Sequence, residues 1–367
     1  MQLTGGLGNL PSTVLPILGI FFIPMTFRLD LWGIVTFNSW RLVMLMNVVP
    51  SLAAGTALLC LYESPKFLLS KGHNDKVVKM MRHIYSINTG KSKDEFPVEH
   101  ICFDSNEVQD PTENASMMRI WAQSLSLFKK PLLKFTILSC IIQAGVVGAC
   151  NIIYLWLPSL VNLLMTYSMN YPDYGVTLCQ VAQFREEIIV VNASDYSTVN
   201  NTWKEPECVV NVPTGTYEVS LVIGFLSFFV FILSGLMTRY VGNRKLLVTY
   251  ILTTAVVIAG QTLSTNLWIT ITFMGIAAVL LATSITACLG IVAEFFPTSV
   301  RSMASCMCMV CGRISTIVGV QSMGLLQQNY CDISYWVLSV FLVGIAIIAY
   351  LAPTKQKKTG DDESGKP

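Results

Sequence analysis

An all-α polytopic membrane helix bundle is the fold class this sequence predicts, and three observations predict it. Hydrophobic residues make up 53% of the chain and charged residues 13%, where a soluble domain carries roughly 25% charged. Eight stretches are long and apolar enough to cross a bilayer as helices, which takes about 20 residues because every backbone polar group must be paired within the segment. The cations also gather between some stretches and avoid others, the asymmetry that membrane insertion produces.

In chain order, the first two spans are expected at 7–27 and 41–62. A basic connection follows, with Lys66, Lys71, Lys76, Lys79, Arg82, Lys91, Lys93, Arg119, Lys129 and Lys130. Within it Val77, Val78, Met81 and Ile84 recur at helix spacing with Lys76, Lys79 and Arg82 between them, the pattern of a helix lying along the membrane surface. From Ser92 to Ser116 the composition turns polar and aperiodic, as a flexible linker requires. The third span is expected at 133–157, the fourth at 219–238, the fifth at 246–263 and the sixth at 267–293, the last two joined only by Ser264, Thr265 and Asn266. The seventh and eighth are expected at 304–326 and 334–352, and the polar tail 353–367 follows. Pro11, Pro16, Pro24, Pro50 and Pro158 fall in or next to spans as candidate kinks.

The charges orient the bundle. The connection 63–131 and the tail, with Lys355, Lys357 and Lys358, belong on the cytoplasmic side, and so do both termini. Between the third and fourth spans Arg185 and Lys204 are outnumbered by Asp173, Glu186, Glu187, Asp195, Glu205 and Glu207, so the loop 166–217 faces the lumen or exterior. Two glycosylation acceptors, Asn192 and Asn200, lie in that loop, whereas Asn114 falls on the cytoplasmic side and should go unused. Cys179 and Cys208 share the outer loop and are a candidate disulfide, with Cys331, also outside, as the competing partner.

Little else carries chemistry. Cys306, Cys308 and Cys311 mimic a metal-ligand cluster, but their apolar helix offers no His or carboxylate to complete a tetrahedral site, and they read as buried small hydrophobes. No catalytic triad, phosphate loop or dinucleotide fingerprint is present, so neither an enzyme, a cofactor, a metal nor a nucleic-acid partner is expected. Within the spans, Gln143, Asn151 and Tyr154 fall within about 80° on a helical wheel and are candidates to line a solute path, or else to join helices through the same polar groups. Arg313 is the one formal charge well inside a span, a candidate for binding an anionic group or for gating, or else a cation reaching toward the cytoplasmic surface. Gln261 and Gln321 are weaker candidates. No Asp or Glu lies centrally in any span, which disfavours a proton relay or an organic cation site built from these helices alone.

Three motifs carry a resemblance. Ser39-Trp40-Arg41 opens the second span, and Tyr62-Glu63-Ser64-Pro65-Lys66-Phe67-Leu68 closes it. Gly235-Leu236-Met237-Thr238-Arg239-Tyr240-Val241-Gly242-Asn243-Arg244-Lys245 joins the fourth and fifth, and Glu294-Phe295-Phe296-Pro297-Thr298-Ser299-Val300-Arg301 follows the sixth. In order and position these resemble the end of the first bundle, the signature loop and the end of the tenth helix of major facilitator transporters. Tyr62 and Lys66 stand where sugar and organic ion carriers have Pro and Arg, and Thr238 stands where the signature loop has Asp, which puts its gating salt bridge in question. The large glycosylation-ready loop between what would be helices seven and eight is similar to that of the synaptic vesicle glycoprotein 2 group.

The resemblance implies a partial major facilitator fold, helices five to twelve. It divides the chain into the last two helices of a first bundle (1–62), an inter-bundle loop (63–131), a six-helix bundle (132–352) and the tail. Such carriers rock two bundles about a mid-membrane site, so Glu63, Ser64, Pro65, Lys66, Gly235, Arg239, Gly242, Arg244, Glu294 and Arg301 are expected to serve gating and signature roles. Four helices of the first bundle are missing, as in an incomplete gene product or a shortened variant, and transport would then need a partner chain to complete the bundle. Two functions follow: a carrier of a small organic solute in a plasma or vesicle membrane, or a non-transporting glycoprotein acting through its outer loop and cytoplasmic partners.

Overall fold

The computed structural model describes residues 11–25, 28–31, 35–60, 74–98, 127–130, 132–170, 175–182, 214–296 and 298–352, with Glu63, Pro65, Leu68 and Leu125 among the intervening segments. Nine helices are named here: α1 (Pro11–Phe22), α2 (Ser39–Leu59), α3 (Asn74–Thr89), α4 (Leu132–Asn170), α5 (Thr214–Val241), α6 (Asn243–Leu263), α7 (Leu267–Phe295), α8 (Thr298–Asn329) and α9 (Cys331–Leu351). Two short strands, β1 (Arg28–Leu31) and β2 (Val35–Asn38), pair as a small hairpin before α2. Seven of the helices, α2 and α4 to α9, are long and apolar enough to cross a membrane. The chain is an all-α polytopic bundle, an integral membrane protein whose solvent is lipid.

The first expected span is described only in part: α1 covers 12 residues of it, and 7–10 lie outside the described residues. Pro24 lacks an N–H to continue the helix, and the chain turns there, with Ile23 N–H bonded to Gly19 O and Met25 N–H to Phe22 O. The third span runs past its expected end. Helix α4 runs 39 residues with Pro158 inside it, beyond the expected end at 157, because Leu160, Val161, Leu164 and Met165 continue its buried face.

The chain forms two compact units, residues 30–122 and residues 1–29 with 123–367. In the smaller unit, Val43 is the single buried residue of α2. In α3, Val77 and Met80 are buried and pack with Leu68 and Met81, while Ile84 is exposed. Gly90, at φ +69°, ends α3 with its N–H on Ser86 O, a conformation glycine adopts without the Cβ penalty.

In the larger unit α4 is central, packing against α5, α7, α8 and α9, while α6 packs against α7 and α9 and α1 against α5. Small residues set how closely these helices approach, as they do where lipid supplies no hydrophobic drive between helices. A Cβ on Gly312 or Gly319 of α8 would meet Val147 or Ile152 of α4 at 3.0 or 2.8 Å, and one on Gly145 of α4 would meet Ile345 of α9 at 2.7 Å. The α6–α7 turn is the expected three residues, Ser264 to Asn266. Asn266 caps α7, its Oδ1 accepting from the N–H of Trp268 at 3.0 Å and of Ile269 at 3.5 Å, which pairs two of the four donors every helix start leaves open.

Candidate functional site

Three places in the larger unit gather polar side chains. The first is the end where α5 turns into α6. Gly242 has φ +85° and ψ 150°, a region open essentially to glycine alone, and this turns the chain from α5 into α6. Asn243 then donates from Nδ2 to Glu294 Oε1 at 2.7 Å, across to the end of α7. Gly290 faces this contact, since a Cβ there would lie 2.8 Å from Asn243 Nδ2. Arg244 donates from Nε to Ala349 O at 3.2 Å, with its guanidinium 5.8 Å from the centre of the Tyr350 ring. Arg301 donates from Nε and Nη2 to Phe296 O, each at 3.4 Å. Both arginines thus sit on carbonyls at helix C-termini, where orphan acceptors and the negative end of the helix dipole favour a cation.

Four of the expected signature residues, Gly242, Arg244, Glu294 and Arg301, therefore meet at one end of the bundle. Thr238 turns its hydroxyl to Ser234 O of its own helix at 2.8 Å, and Arg239 is exposed. Gly235 is half-buried within α5. Glu63 is exposed, while Ser64 and Lys66 lie outside the described residues, as do Asn192 and Asn200.

The second place is the seam between α4 and α8. Asn151 donates from Nδ2 to Val147 O at 2.9 Å and to Thr316 Oγ1 at 3.1 Å. Gln143 is fully buried, with Nε2 3.5 Å from Met309 Sδ and Oε1 unpaired. These two amides are engaged in joining the helices. Tyr154, on the same wheel face, has its hydroxyl beside Ser227 of α5. Along this seam Cys308 is buried with its sulfur 3.9 Å from that of Cys140, Cys311 is half-buried and Cys306 is exposed. Arg313 is exposed, at the flank of this seam one turn from Met309 and Thr316. It stands 15 residues from Thr298 and 16 from Asn329, about four turns from either end. Beside it Val310, Ile314, Ile317 and Gln321 are exposed too.

The third place is the opposite end. The candidate Cys179–Cys208 bond is corrected here: Cys179 is bonded to Cys331, with Cα atoms 5.5 Å apart. Leu178, Cys179 and Val181 are buried in the bundle, and a Cβ on Gly175 would lie 3.5 Å from Thr265 O of the α6–α7 turn. Segment 175–182 is thereby held next to the first residue of α9, and Cys208 lies outside the described residues.

One turn along α9 from Cys331 is Tyr335, in the wall of a cavity bounded by α4, α6, α7, α8 and α9. Its volume is about 20 Å3, room for about one water. Its wall is apolar apart from Gln261, Trp156 and Tyr335. Gln261 Nε2, Trp156 Nε1 and Tyr335 OH are buried and have no hydrogen-bond partner among the described residues. Sequence reasoning weighted Gln261 low and passed over Trp156 and Tyr335. Both read as ordinary aromatic residues near a membrane interface.

No protein-family model matches this chain, and no curated protein matches it in sequence.

Proposed function

We propose that this chain is a secondary carrier of major facilitator type that moves a small organic solute across a plasma or vesicle membrane by alternating access, with its termini in the cytoplasm. The observation that carries the reading is Arg313, a cation midway along a membrane-length helix and exposed. On a lipid-facing surface at that depth it costs about 2.5–3.5 kcal/mol or more. On a face that lines a hydrated path it is solvated, and it can bind an anionic group. Gln321 on the same face adds a neutral donor and acceptor, while Gln143 and Asn151 fix the helix that carries both.

The test is uptake into liposomes reconstituted with the full chain, read by mass spectrometry over a mixture of organic acids and neutral solutes. A partner chain that completes the bundle is supplied by co-reconstituting membrane proteins from the source tissue. Saturable uptake that falls at least about tenfold in Arg313→Leu and is partly restored in Arg313→Lys supports the reading. Uptake indifferent to Arg313 overturns the role of this face. No uptake under either condition overturns transport and leaves the glycoprotein role.

A further inference from the structure

We propose that the cavity walled by Trp156, Gln261 and Tyr335 is the binding site of one ordered water, which joins α4, α6 and α9 through those three side chains. The inference goes beyond the transport reading and does not depend on it. The volume, about 20 Å3, suits one water. Gln261 is 3% and Tyr335 5% exposed, and Gln261 Nε2, Trp156 Nε1 and Tyr335 OH have no hydrogen-bond partner among the described residues. A buried water typically makes about two to four hydrogen bonds to groups of this kind, and three of the residues lining this one space carry one each.

The hydrogen-bond chemistry fits water and excludes small ions. Indole and amide N–H groups only donate, whereas a phenol hydroxyl both donates and accepts. Water accepts from Trp156 and Gln261 with its two lone pairs and donates one hydrogen to the Tyr335 oxygen. A cation would find two of the three groups unable to coordinate it. An anion would lose its hydration with no cationic side chain among the lining residues. The three groups are also held in place. Gly324 of α8 lets the Trp156 ring approach, since a Cβ there would lie 3.1 Å from Cζ2 of the indole. Tyr335 follows Cys331 by one turn, and the disulfide fixes that end of α9. Gln261 stands two residues before the end of α6 and Tyr335 four after the start of α9, about one turn in from those helix ends, which gives the water a short way in.

The test is NMR of the full chain in nanodiscs of deuterated lipid, with its tryptophans labelled with 15N. Trp156→Phe identifies the Trp156 indole signal among the seven tryptophans. A cross-relaxation peak between that indole hydrogen and water is expected, told from chemical exchange by its opposite sign in the rotating frame. Ile258→Phe, which fills the space and leaves all three polar groups, should remove the peak while the indole signal stays. A shared water also couples its partners. Gln261→Leu and Tyr335→Phe together should therefore lower the thermal midpoint by clearly less than the sum of their single shifts. An indole signal with no water peak in the natural chain, or a peak that survives Ile258→Phe, overturns the site, and so do midpoint shifts that add. Where Ile258→Phe does not unfold in one cooperative transition, the natural chain's peak and the paired thermal shifts decide.

Discussion

The two ends of the larger unit are fastened in different ways. At the Gly242 end the polar side chains are paired: Asn243 with Glu294, Arg244 with the carbonyl of Ala349, Arg301 with that of Phe296. At the Cys331 end a covalent bond does the fastening, and three buried polar atoms close by are unpaired. One end is held by side-chain hydrogen bonds between helices and the other by a covalent bond; toward the first, too, a buried hydroxyl lacks a partner among the described residues, that of Ser234 two turns before Gly242.

The sharpest way to break this comparison is at the cross-link. Cys331→Ala should cost about 2–5 kcal/mol of stability, the usual range for losing a native disulfide. Thermal unfolding in detergent should show the same loss when the natural chain is reduced, and no further loss when the variant is. If reduction leaves the midpoint unchanged, the Cys331 end is fastened by packing, and the contrast between the ends disappears.

At the other end the largest effect belongs to the backbone. Gly242→Ala forces a side chain into φ +85° and should cost about 1–3 kcal/mol, measured in the same assay. A cost near zero would mean that α5 and α6 can turn without this conformation. Smaller effects compare single side chains across the two ends. Asn266→Ala removes the cap of α7 and should cost about 1 kcal/mol, whereas Asn243→Ala, whose partner Glu294 is exposed, should cost about 0.5–1 kcal/mol. The prediction for Asn243 also has a sign in salt: added salt should shrink its effect, because an exposed charged partner is screened, and leave that of Asn266 unchanged.

Much of the fold was legible because lipid imposes one simple demand, a long apolar helix, and α5, α6, α7 and α9 meet it without interruption. The turn at Ser264 to Asn266 was legible for the converse reason, three polar residues between two apolar runs. The end of α4 was not. Pro158 and the polar residues Asn162 and Thr166 look like the start of a loop, and only the three-dimensional packing of Leu160, Val161 and Leu164 reveals that the helix goes on. The wheel placed Gln143 and Asn151 on one face, but a wheel does not say whether that face meets a path or another helix. Here it meets Met309 and Thr316. Trp156 and Tyr335 carried no signal at all, because an aromatic residue near a span end is ordinary, and it is their convergence with Gln261 that is not.

The cross-link also sets a schedule for making the protein. Its two cysteines are 152 residues apart, and at roughly 5–20 residues per second of synthesis Cys331 emerges about 8–30 s after Cys179. Cys208 emerges much sooner, since it follows Cys179 by only 29 residues (208 − 179). During that interval Cys179 has to be kept from the nearer thiol, or released from it, before α9 arrives. A nascent chain stalled before residue 331 would leave Cys179 without its native partner, so the bond marks a finished bundle.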